Sequence, residues 1–255
     1  MALLTADVFS ESLEVGTSLT VVLPQTTREQ IGVESVTVPV HGWPVLYLLH
    51  GLSDDHSAWV RYTSIERYAA AAGLAVVMPA AGRSFYADEA HGHRYWTWVS
   101  EELPRLVGEM FRLSERPEDT FVAGLSMGGY GALKLGLRCP GRFAAVASLS
   151  GAVDVRGLDT RLERSEIVQR VFDGNFAASD DLYELLAAAD PAAVPPLYLG
   201  CGTDEDRLMD ANTRLAEQAV AAGIAVTTDF RPGVHEWGLW DATIRDVIDW
   251  LPRAD

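Results

Sequence analysis

Five short apolar runs constrain the fold of this 255-residue chain more than any other feature of its sequence. They span residues 45–49, 75–78, 120–123, 145–149 and 197–199. Continuous apolar character over so few residues is typical of strands that are buried on both faces, as in a parallel sheet. Because helical patterns alternate with these runs, we predict a single α/β domain over residues 1–255, with a mostly parallel central sheet and helices on both faces.

The helical patterns lie between the apolar runs. Ile65, Tyr68, Ala69 and Ala72 repeat at helical spacing, and Gly73 follows them as a C-terminal cap signal. Further helices are predicted over residues 99–113, 127–138, 208–222 and 239–251.

Two segments depart from this alternation. In the first forty residues, strand-like patterns at 19–23 and 33–38 predict antiparallel strands at the start of the sheet. Residues 151–196 are charged and end in a proline-rich stretch. The charged residues within them include Arg161, Glu163, Arg164 and Glu166. We predict that residues 151–196 form a small cap insertion over the carboxyl edge of the sheet.

The strongest local motif is Gly124-Leu125-Ser126-Met127-Gly128, which follows the third apolar run and precedes a predicted helix. The two glycines remove the Cβ atoms that would crowd a tight strand-to-helix turn around the serine. The motif resembles the nucleophile elbow of α/β-hydrolases, in which this turn exposes a serine at the carboxyl edge of the sheet. We therefore predict that Ser126 is a catalytic nucleophile.

A neutral serine needs a general base to become an effective nucleophile. Of the six histidines, only His235 follows the elbow, as the serine–acid–histidine order of α/β-hydrolases requires. The acid that orients this histidine is expected in the loop after residues 197–199. Three consecutive carboxylates occupy that loop, and their residue types alone do not choose between Asp204, Glu205 and Asp206.

Two backbone amides are candidates for an oxyanion hole. The Met127 amide directly follows the nucleophile, and the Leu52 amide lies in the turn after the first buried strand. His50 in the same turn is interpreted as a structural hydrogen-bonding residue rather than a base. Among the aromatic residues, Phe85 and Trp237 are predicted to border a substrate pocket.

The charge balance argues against several classes of partner. The chain has 36 acidic and 20 basic residues, a formal net charge of −16, which repels phosphate backbones and anionic lipids. We expect neither nucleic acid nor a membrane as partner. No apolar run approaches the roughly 20 residues of a membrane-spanning helix, and the first residues lack the basic region of a signal peptide. These features predict a cytoplasmic protein.

Neither a disulfide framework nor a metal site is expected. Cys139 and Cys201 are interpreted as buried structural thiols, because two cysteines cannot build such a framework. The aspartate pair at 54–55 and the histidines His91 and His93 have no third ligand at suitable spacing.

Several ordered motifs together resemble the esterase D branch of the α/β-hydrolase superfamily, in particular the small tributyrin-type acyl esterases. The resemblance covers the chain from about Leu46 to Leu251. Its motifs are YLLHGLS at 47–53 with Trp59 downstream, SFY at 84–86, YW at 95–96 leading into EELP at 101–104, GLSMGGYG at 124–131, and GVHEW at 233–237 closed by Trp240.

The resemblance implies a serine carboxylesterase that acts on short acyl chains through a Ser-His-Asp triad and an acyl-enzyme, without a cofactor. The family pattern places its aspartate two residues before a leucine and six before an asparagine. Leu208 and Asn212 therefore assign the acid to Asp206, whereas counting forward from the Cys-Gly-Thr motif reaches Glu205 instead. Asp206 is our prediction, with Asp204 as the main rival.

The same machinery is compatible with other functions. An S-formylglutathione hydrolase would use it on a thioester, a carbohydrate acyl esterase on acylated sugars, and an acyltransferase would replace water by an alcohol. A non-catalytic binding module on a hydrolase scaffold would have no need of Ser126, His235 and an acid together. The expected partner is a small-molecule acyl ester, and relatives in this branch are often homo-oligomers.

Overall fold

The computed structural model describes residues 1–27, 31, 37–158 and 165–252. The strands are β1 (Ala2–Ser10), β2 (Val15–Leu23), β3 (Val45–Leu49), β4 (Ala75–Pro79), β5 (Thr120–Leu125), β6 (Ala145–Leu149), β7 (Leu197–Gly202) and β8 (Val226–Arg231). Within the described residues these eight strands form one sheet in the order β1-β2-β4-β3-β5-β6-β7-β8. β2 pairs antiparallel with β1 and β4, and every other pair is parallel. The predicted α/β fold with a mostly parallel sheet is confirmed.

Helices connect the parallel strands. They are α1 (Ala58–Tyr62), α2 (Ile65–Ala72), α3 (Tyr95–Thr97), α4 (Leu103–Met110), α5 (Met127–Arg138), α6 (Ser165–Phe172), α7 (Leu182–Ala188), α8 (Asp206–Ala221) and α9 (Trp237–Trp250). The predicted end of α2 is confirmed, because Gly73 adopts a left-handed conformation at φ 63° and its amide donates to Ala70.

Side chains that alternate along each buried strand divide the core into two layers. In β3, Val45, Tyr47 and Leu49 face one layer, which also contains buried residues of α4, α5, α7 and α8. Leu46 and Leu48 face the opposite layer, which includes buried residues of α1, α2 and α9. Both faces of the sheet are therefore covered, which explains why the central strands are apolar throughout.

The start of the chain differs from the prediction. β2 pairs with β1, from Ala2–Leu23 to Ser10–Val15, and with β4. Of the strand predicted at 33–38, residues 33–36 lie outside the described part of the chain, and Val38 is not in a strand. β1 lacks a clear strand pattern in the sequence, because its exposed positions include apolar residues such as Leu3 and Phe9, which weaken the period-two alternation.

The helix predicted over 99–113 begins earlier and contains a π-helical turn at Trp98–Glu102, between α3 and α4. Glu102, buried at this turn, accepts hydrogen bonds from the Ser10 hydroxyl and from the amides of Glu11 and Ser12. Burial raises the pKa of Glu102, but these hydrogen bonds outweigh it and leave the pKa below its ordinary value. The turn thus ties the β1–β2 hairpin to the helical layer.

The segment at 151–196 shares its core with the rest of the chain. Val171 of α6 and Leu186 of α7 belong to the same buried cluster as the sheet. Asp180 forms an ion pair of 2.6 Å with Lys134, a fully buried residue of α5. Residues 159–164, which include the predicted charged residues at 161–164, lie outside the described part. The assignment of residues 151–196 to a small cap insertion within one domain stays a prediction.

Candidate active site

The nucleophile elbow has the geometry that its sequence predicts. Ser126 lies between β5 and α5 at φ 53°, a conformation that side-chain-bearing residues rarely adopt. A Cβ on Gly124 would lie 2.4 Å from the Gly128 carbonyl carbon, and one on Gly128 would lie 2.3 Å from the Leu49 oxygen. The two glycines therefore let the strand, the turn and the neighbouring β3 pack closely enough to hold Ser126 in this conformation.

His235 lies beside the elbow, in the loop between β8 and α9. Its Nε2 atom is 3.1 Å from the Ser126 hydroxyl oxygen, although the two residues are 109 positions apart in the chain. The ring packs edge-to-face on Trp240, with ring centroids 4.8 Å apart and an interplanar angle of 87°. The structure therefore brings together the predicted nucleophile and the predicted base.

The carboxylate that contacts His235 is Glu205, and not the predicted Asp206. Glu205 Oε2 lies 2.5 Å from His235 Nδ1. Asp206 is exposed at the first position of α8, and the rival Asp204 is exposed in the preceding turn. The reason is the position of the helix start: Glu205 is the N-cap residue of α8 and its side chain turns inward.

Glu205 is held by hydrogen bonds on both carboxylate oxygens. Oε1 accepts from the Ser150 hydroxyl at 2.6 Å and from the Gly202 amide at 2.9 Å, while Oε2 faces His235. Burial raises the pKa of Glu205, but the hydrogen bonds from His235, Ser150 and Gly202 outweigh it, so the pKa lies below its ordinary value of 4.5. Glu205 is therefore ionised at neutral pH and accepts a hydrogen bond from the protonated Nδ1 of His235. The unprotonated Nε2 atom can then accept a hydrogen bond from the Ser126 hydroxyl.

Sequence reasoning missed Ser150 and Gly202 as neighbours of the acid. Counting from Gly202, the last residue of β7, reaches Glu205, and this signal favours the residue that contacts His235 over the predicted Asp206. Cys201 is buried beside Ser150 and Glu205, and burial together with the negative charge of Glu205 raises the pKa of its thiol to about 12. Cys201 is thus a buried protonated thiol, which agrees with its interpretation as a structural residue.

The predicted oxyanion-hole residues lie next to Ser126. Met127 is the first residue of α5, so its amide has no acceptor within the helix. Leu52 borders the same cleft as Ser126, and the Cβ of Ser126 lies 3.8 Å from the position of a Cβ on Gly51. The oxyanion-hole roles of the Leu52 and Met127 amides stay predictions, and their location is compatible with them.

His50 supports the turn that carries Leu52. Its Nε2 accepts from the Ala81 amide at 2.9 Å, so its Nδ1 bears the proton and donates to the Gly51 carbonyl at 2.7 Å. Burial lowers the pKa of His50, which keeps this tautomer neutral. The Tyr86 hydroxyl donates to the His50 carbonyl at 3.0 Å. His50 is thus committed to the backbone, as the structural interpretation anticipates.

An open cleft of about 2170 Å³ surrounds Ser126 and His235. Phe85 and Trp237 both border it, and their roles as substrate-pocket residues stay predictions. Its charged lining consists of Asp54, Arg83, Asp154, Asp204, Glu205, Asp206, Arg207, Asp210, Arg214 and Glu236. Carboxylates therefore outnumber guanidinium groups around the reacting serine.

The other polar groups singled out in the sequence contact different partners. His91 pairs with Asp173 at 2.8 Å on the surface, and Asp55 accepts from the Ser57 hydroxyl and amide. Over the described ranges, no group of three or more His, Cys, Asp or Glu side chains is arranged to hold a metal ion. Likewise, none of the helices in the described part of the chain is both long and apolar enough to cross a membrane.

Residues 10–251 match the model of the Esterase family, whose description is "Putative esterase". The chain belongs to this family. The chain is also 28% identical over 270 residues to an acetyl esterase from Caldicellulosiruptor saccharolyticus. This match covers 100% of this chain and 99% of the relative.

Two solved structures resemble this esterase closely. The first is the fluorophosphonate-binding serine hydrolase FphF of Staphylococcus aureus in a substrate-bound form, with 30% identity, a TM-score of 0.88 and coverage of 99% of both chains. The second is the S-formylglutathione hydrolase FrmB of Staphylococcus aureus, with 31% identity, a TM-score of 0.83 and coverage of 98% of both chains. This chain is accordingly a serine hydrolase of the α/β-hydrolase fold, an esterase consistent with the predicted esterase D branch.

Proposed function

We propose that this esterase hydrolyses short-chain acyl esters with Ser126 as nucleophile, His235 as general base and acid, and Glu205 as the carboxylate that orients His235. The observation that carries the proposal is the unbroken chain of hydrogen bonds from Ser126 through His235 to Glu205, with distances of 3.1 Å and 2.5 Å. The acetyl esterase relative supports the substrate class.

The first half-reaction forms an acyl-enzyme. The Ser126 oxygen attacks the ester carbonyl carbon while His235 Nε2 takes the hydroxyl proton, and ionised Glu205 stabilises the resulting imidazolium. The carbonyl oxygen gains negative charge, which the amides of Leu52 and Met127 are positioned to bind. When the tetrahedral intermediate collapses, the carbon–oxygen bond to the alcohol breaks and His235 returns the proton to that alcohol.

The second half-reaction releases the acid. A water molecule enters the open cleft, His235 Nε2 takes one of its protons, and the remaining hydroxide attacks the acyl carbon. Collapse of this second intermediate breaks the bond to the Ser126 oxygen, which recovers its proton from His235. Glu205 remains ionised throughout, because hydrogen bonds hold its pKa below the ordinary value.

Steady-state and burst kinetics test the proposal directly. We expect wild-type protein to hydrolyse p-nitrophenyl acetate and butyrate, with faster turnover of these than of long-chain esters, and Ser126→Ala to lose at least about 1000-fold in kcat. Quenched wild-type reactions should contain protein with one acyl group on Ser126, identified by mass spectrometry. A folded wild-type protein without turnover or acyl adduct would contradict the proposal and favour a binding module.

Thioester hydrolysis is the second candidate, since FrmB is an S-formylglutathione hydrolase at 31% identity. The excess of carboxylates around the cleft argues for the ester reaction, because it repels an anionic glutathione leaving group. We therefore expect a lower kcat/KM for S-formylglutathione than for p-nitrophenyl acetate. The reverse order would make the thioester the preferred substrate, and preference for acylated sugars would indicate a carbohydrate acyl esterase.

We also propose a cytoplasmic location and self-association into a homo-oligomer. The open edge of β1 supports self-association, because it carries Leu3 and Phe9 with exposed fractions of 51% and 61%.

Light scattering after size-exclusion chromatography should give a multiple of 27.7 kDa. Fractionation of the source cells should recover the protein in the cytoplasmic fraction, and a monomer or an exported protein would contradict the respective proposal.

A further inference from the structure

We propose that Ser150 and Trp240 are positioning residues, which fix Glu205 behind His235 through a two-step hydrogen-bond relay. This inference rests on the proposed function, since it concerns how the triad carboxylate is held. Neither residue reacts with the substrate. Both lie outside the triad and determine how well Glu205 orients His235.

The relay has a defined direction. Trp240 Nε1 can only donate, and it lies 3.1 Å from the Ser150 hydroxyl oxygen. The single Ser150 proton is directed at Glu205 Oε1, 2.6 Å away, because a buried carboxylate can only accept. Ser150 and Trp240 are 1% and 5% exposed, so water does not compete for these bonds.

A glutamate needs this support more than an aspartate would. Its side chain has one more rotatable bond, so anchoring the carboxylate requires contacts beyond the one with His235. Ser150 and the Gly202 amide both bind Oε1, which leaves Oε2 directed at His235 Nδ1. Of these two anchors, only Ser150 acts through a side chain and is therefore open to mutational removal.

The backbone of Ser150 is specialised for this contact. The residue follows β6 at φ 47°, which is uncommon for a residue that carries a side chain. Its amide donates to the Gly200 carbonyl at 2.7 Å and so fixes it against β7, the strand that leads to Glu205. Strained backbone conformations concentrate at functional sites, and here the strain places a hydroxyl beside the triad acid.

Trp240 links the relay to the base as well as to the acid. The same indole that donates to Ser150 packs edge-to-face on the His235 ring. Glu205 interacts with two titratable side chains, His235 and Cys201, and the Cys201 thiol is protonated at neutral pH. The Ser150 hydroxyl therefore acts on a carboxylate whose hydrogen-bonded counterpart is the His235 imidazolium formed during the reaction.

The test is a double-mutant cycle on p-nitrophenyl acetate hydrolysis. Ser150→Ala should lower kcat by about 10-fold to 100-fold with KM within about two-fold, because a hydrogen bond to a charged group is lost. In the Glu205→Ala background the same substitution should change kcat by less than about two-fold, since no carboxylate remains to be positioned. A purely structural role for Ser150 would give the same loss in both backgrounds.

Two further variants protect the test against misfolding. Ser150→Gly removes the hydroxyl but relaxes the backbone at positive φ, so it should remain folded and still lose as much kcat as Ser150→Ala. Trp240→Phe keeps an aromatic ring beside His235 and removes the N–H donor, and should lower kcat by about three-fold to ten-fold. Thermal melting of each variant measures whether it is folded at the assay temperature.

Ser148→Ala is the matched control. Ser148 is fully buried two positions earlier in β6, and its hydroxyl oxygen has no hydrogen-bond partner within the described residues. Its kcat should stay within about two-fold of wild type. Full activity of Ser150→Gly, or equal losses in both backgrounds of the cycle, would overturn the relay. An inactive wild type would instead contradict the proposed function itself.

Discussion

Two loops at the carboxyl edge of the sheet hold the reacting side chains in different ways. The β5–α5 elbow holds Ser126 through its backbone, with a strained φ of 53° and glycine contacts that leave no room for a Cβ. The β7–α8 loop holds Glu205 through its side chain, with hydrogen bonds from Ser150, Gly202 and His235. The first loop depends on steric fit and the second on directed hydrogen bonds.

This difference determines how each loop fails. A substitution that adds atoms to the elbow disturbs the packing of β3, β5 and α5, so stability and activity decrease together. A substitution that removes a hydrogen bond from Glu205 leaves the backbone in place, so activity decreases with the fold retained.

The largest effect is expected for Glu205→Gln. The amide keeps the shape of the side chain but cannot stabilise the imidazolium, and its N–H₂ group favours the wrong tautomer of His235. We expect kcat on p-nitrophenyl acetate to fall about 10⁴-fold, while circular dichroism remains that of the wild type. A variant with more than a tenth of wild-type kcat would contradict the assignment of Glu205.

Gly128→Ala should mainly destabilise the fold. Its Cβ would lie 2.3 Å from the Leu49 carbonyl oxygen, a backbone atom that cannot move aside without shifting β3. We expect a loss of about 3 kcal/mol in the free energy of unfolding, measured by urea denaturation, together with loss of activity. Gly108→Ala in α4 is the control: no heavy atom lies within 4 Å of the added Cβ, so it should stabilise by about 0.5–1 kcal/mol.

Acid should remove the stabilisation that Glu205 provides. Because hydrogen bonds hold the folded-state pKa of Glu205 below its ordinary value of 4.5, ionised Glu205 stabilises the fold above that pH. This contribution is lost as the pH falls through the folded-state pKa. Urea denaturation at pH 7 and at about pH 3.5 should show that the difference in unfolding free energy between wild type and Glu205→Gln shrinks in acid. An unchanged or growing difference would contradict this pKa direction.

The smallest effect is expected for Asp206→Asn. This carboxylate is exposed at the first position of α8 and interacts mainly with the helix N-terminus. We expect kcat within about two-fold of wild type and a stability loss of a few tenths of a kcal/mol. A large loss of kcat with normal stability would instead support Asp206, the residue that the family pattern indicates, as the carboxylate that orients His235.

The elbow is also the part of the site that the sequence predicts best. Gly124 and Gly128 constrain the backbone locally, so the position and exposure of Ser126 follow from five residues. His235 follows from chain order, because it is the one histidine after the elbow. The central strands and α5 are equally predictable, since their apolar runs report burial on both faces of the sheet.

The acid could not be chosen in the same way. Three adjacent carboxylates share one loop, and which of them turns inward depends on where α8 begins and on contacts with Ser150, 55 positions away in the chain. The leucine and asparagine of the family pattern lie in α8, so a count back from them depends on the length of the turn before the helix. Gly202 ends β7, so its position is fixed by the sheet, and counting from it reaches Glu205.

The sequence does not predict β1, for a related reason. β1 is an edge strand with exposed apolar residues, so its pattern carries little information about burial. The buried Glu102, about ninety residues later in the chain, accepts the hydrogen bonds that tie the end of β1 to the helical layer. Local patterns do not report such long-range hydrogen bonds.

The central claim is that Glu205 orients His235 to activate Ser126, and the rate of labelling by a serine-directed fluorophosphonate tests it most directly. This rate reports the nucleophilicity of Ser126 alone, because the label stays on the serine and no deacylation step follows. Wild type, Glu205→Gln, Asp206→Asn and Ser126→Ala would be compared at pH 7, with the labelled residue identified by mass spectrometry. We predict that Asp206→Asn is labelled on Ser126 at the wild-type rate, that Glu205→Gln is labelled at least about 100-fold more slowly, and that Ser126→Ala is not labelled. Slow labelling of Asp206→Asn with normal labelling of Glu205→Gln would contradict the account.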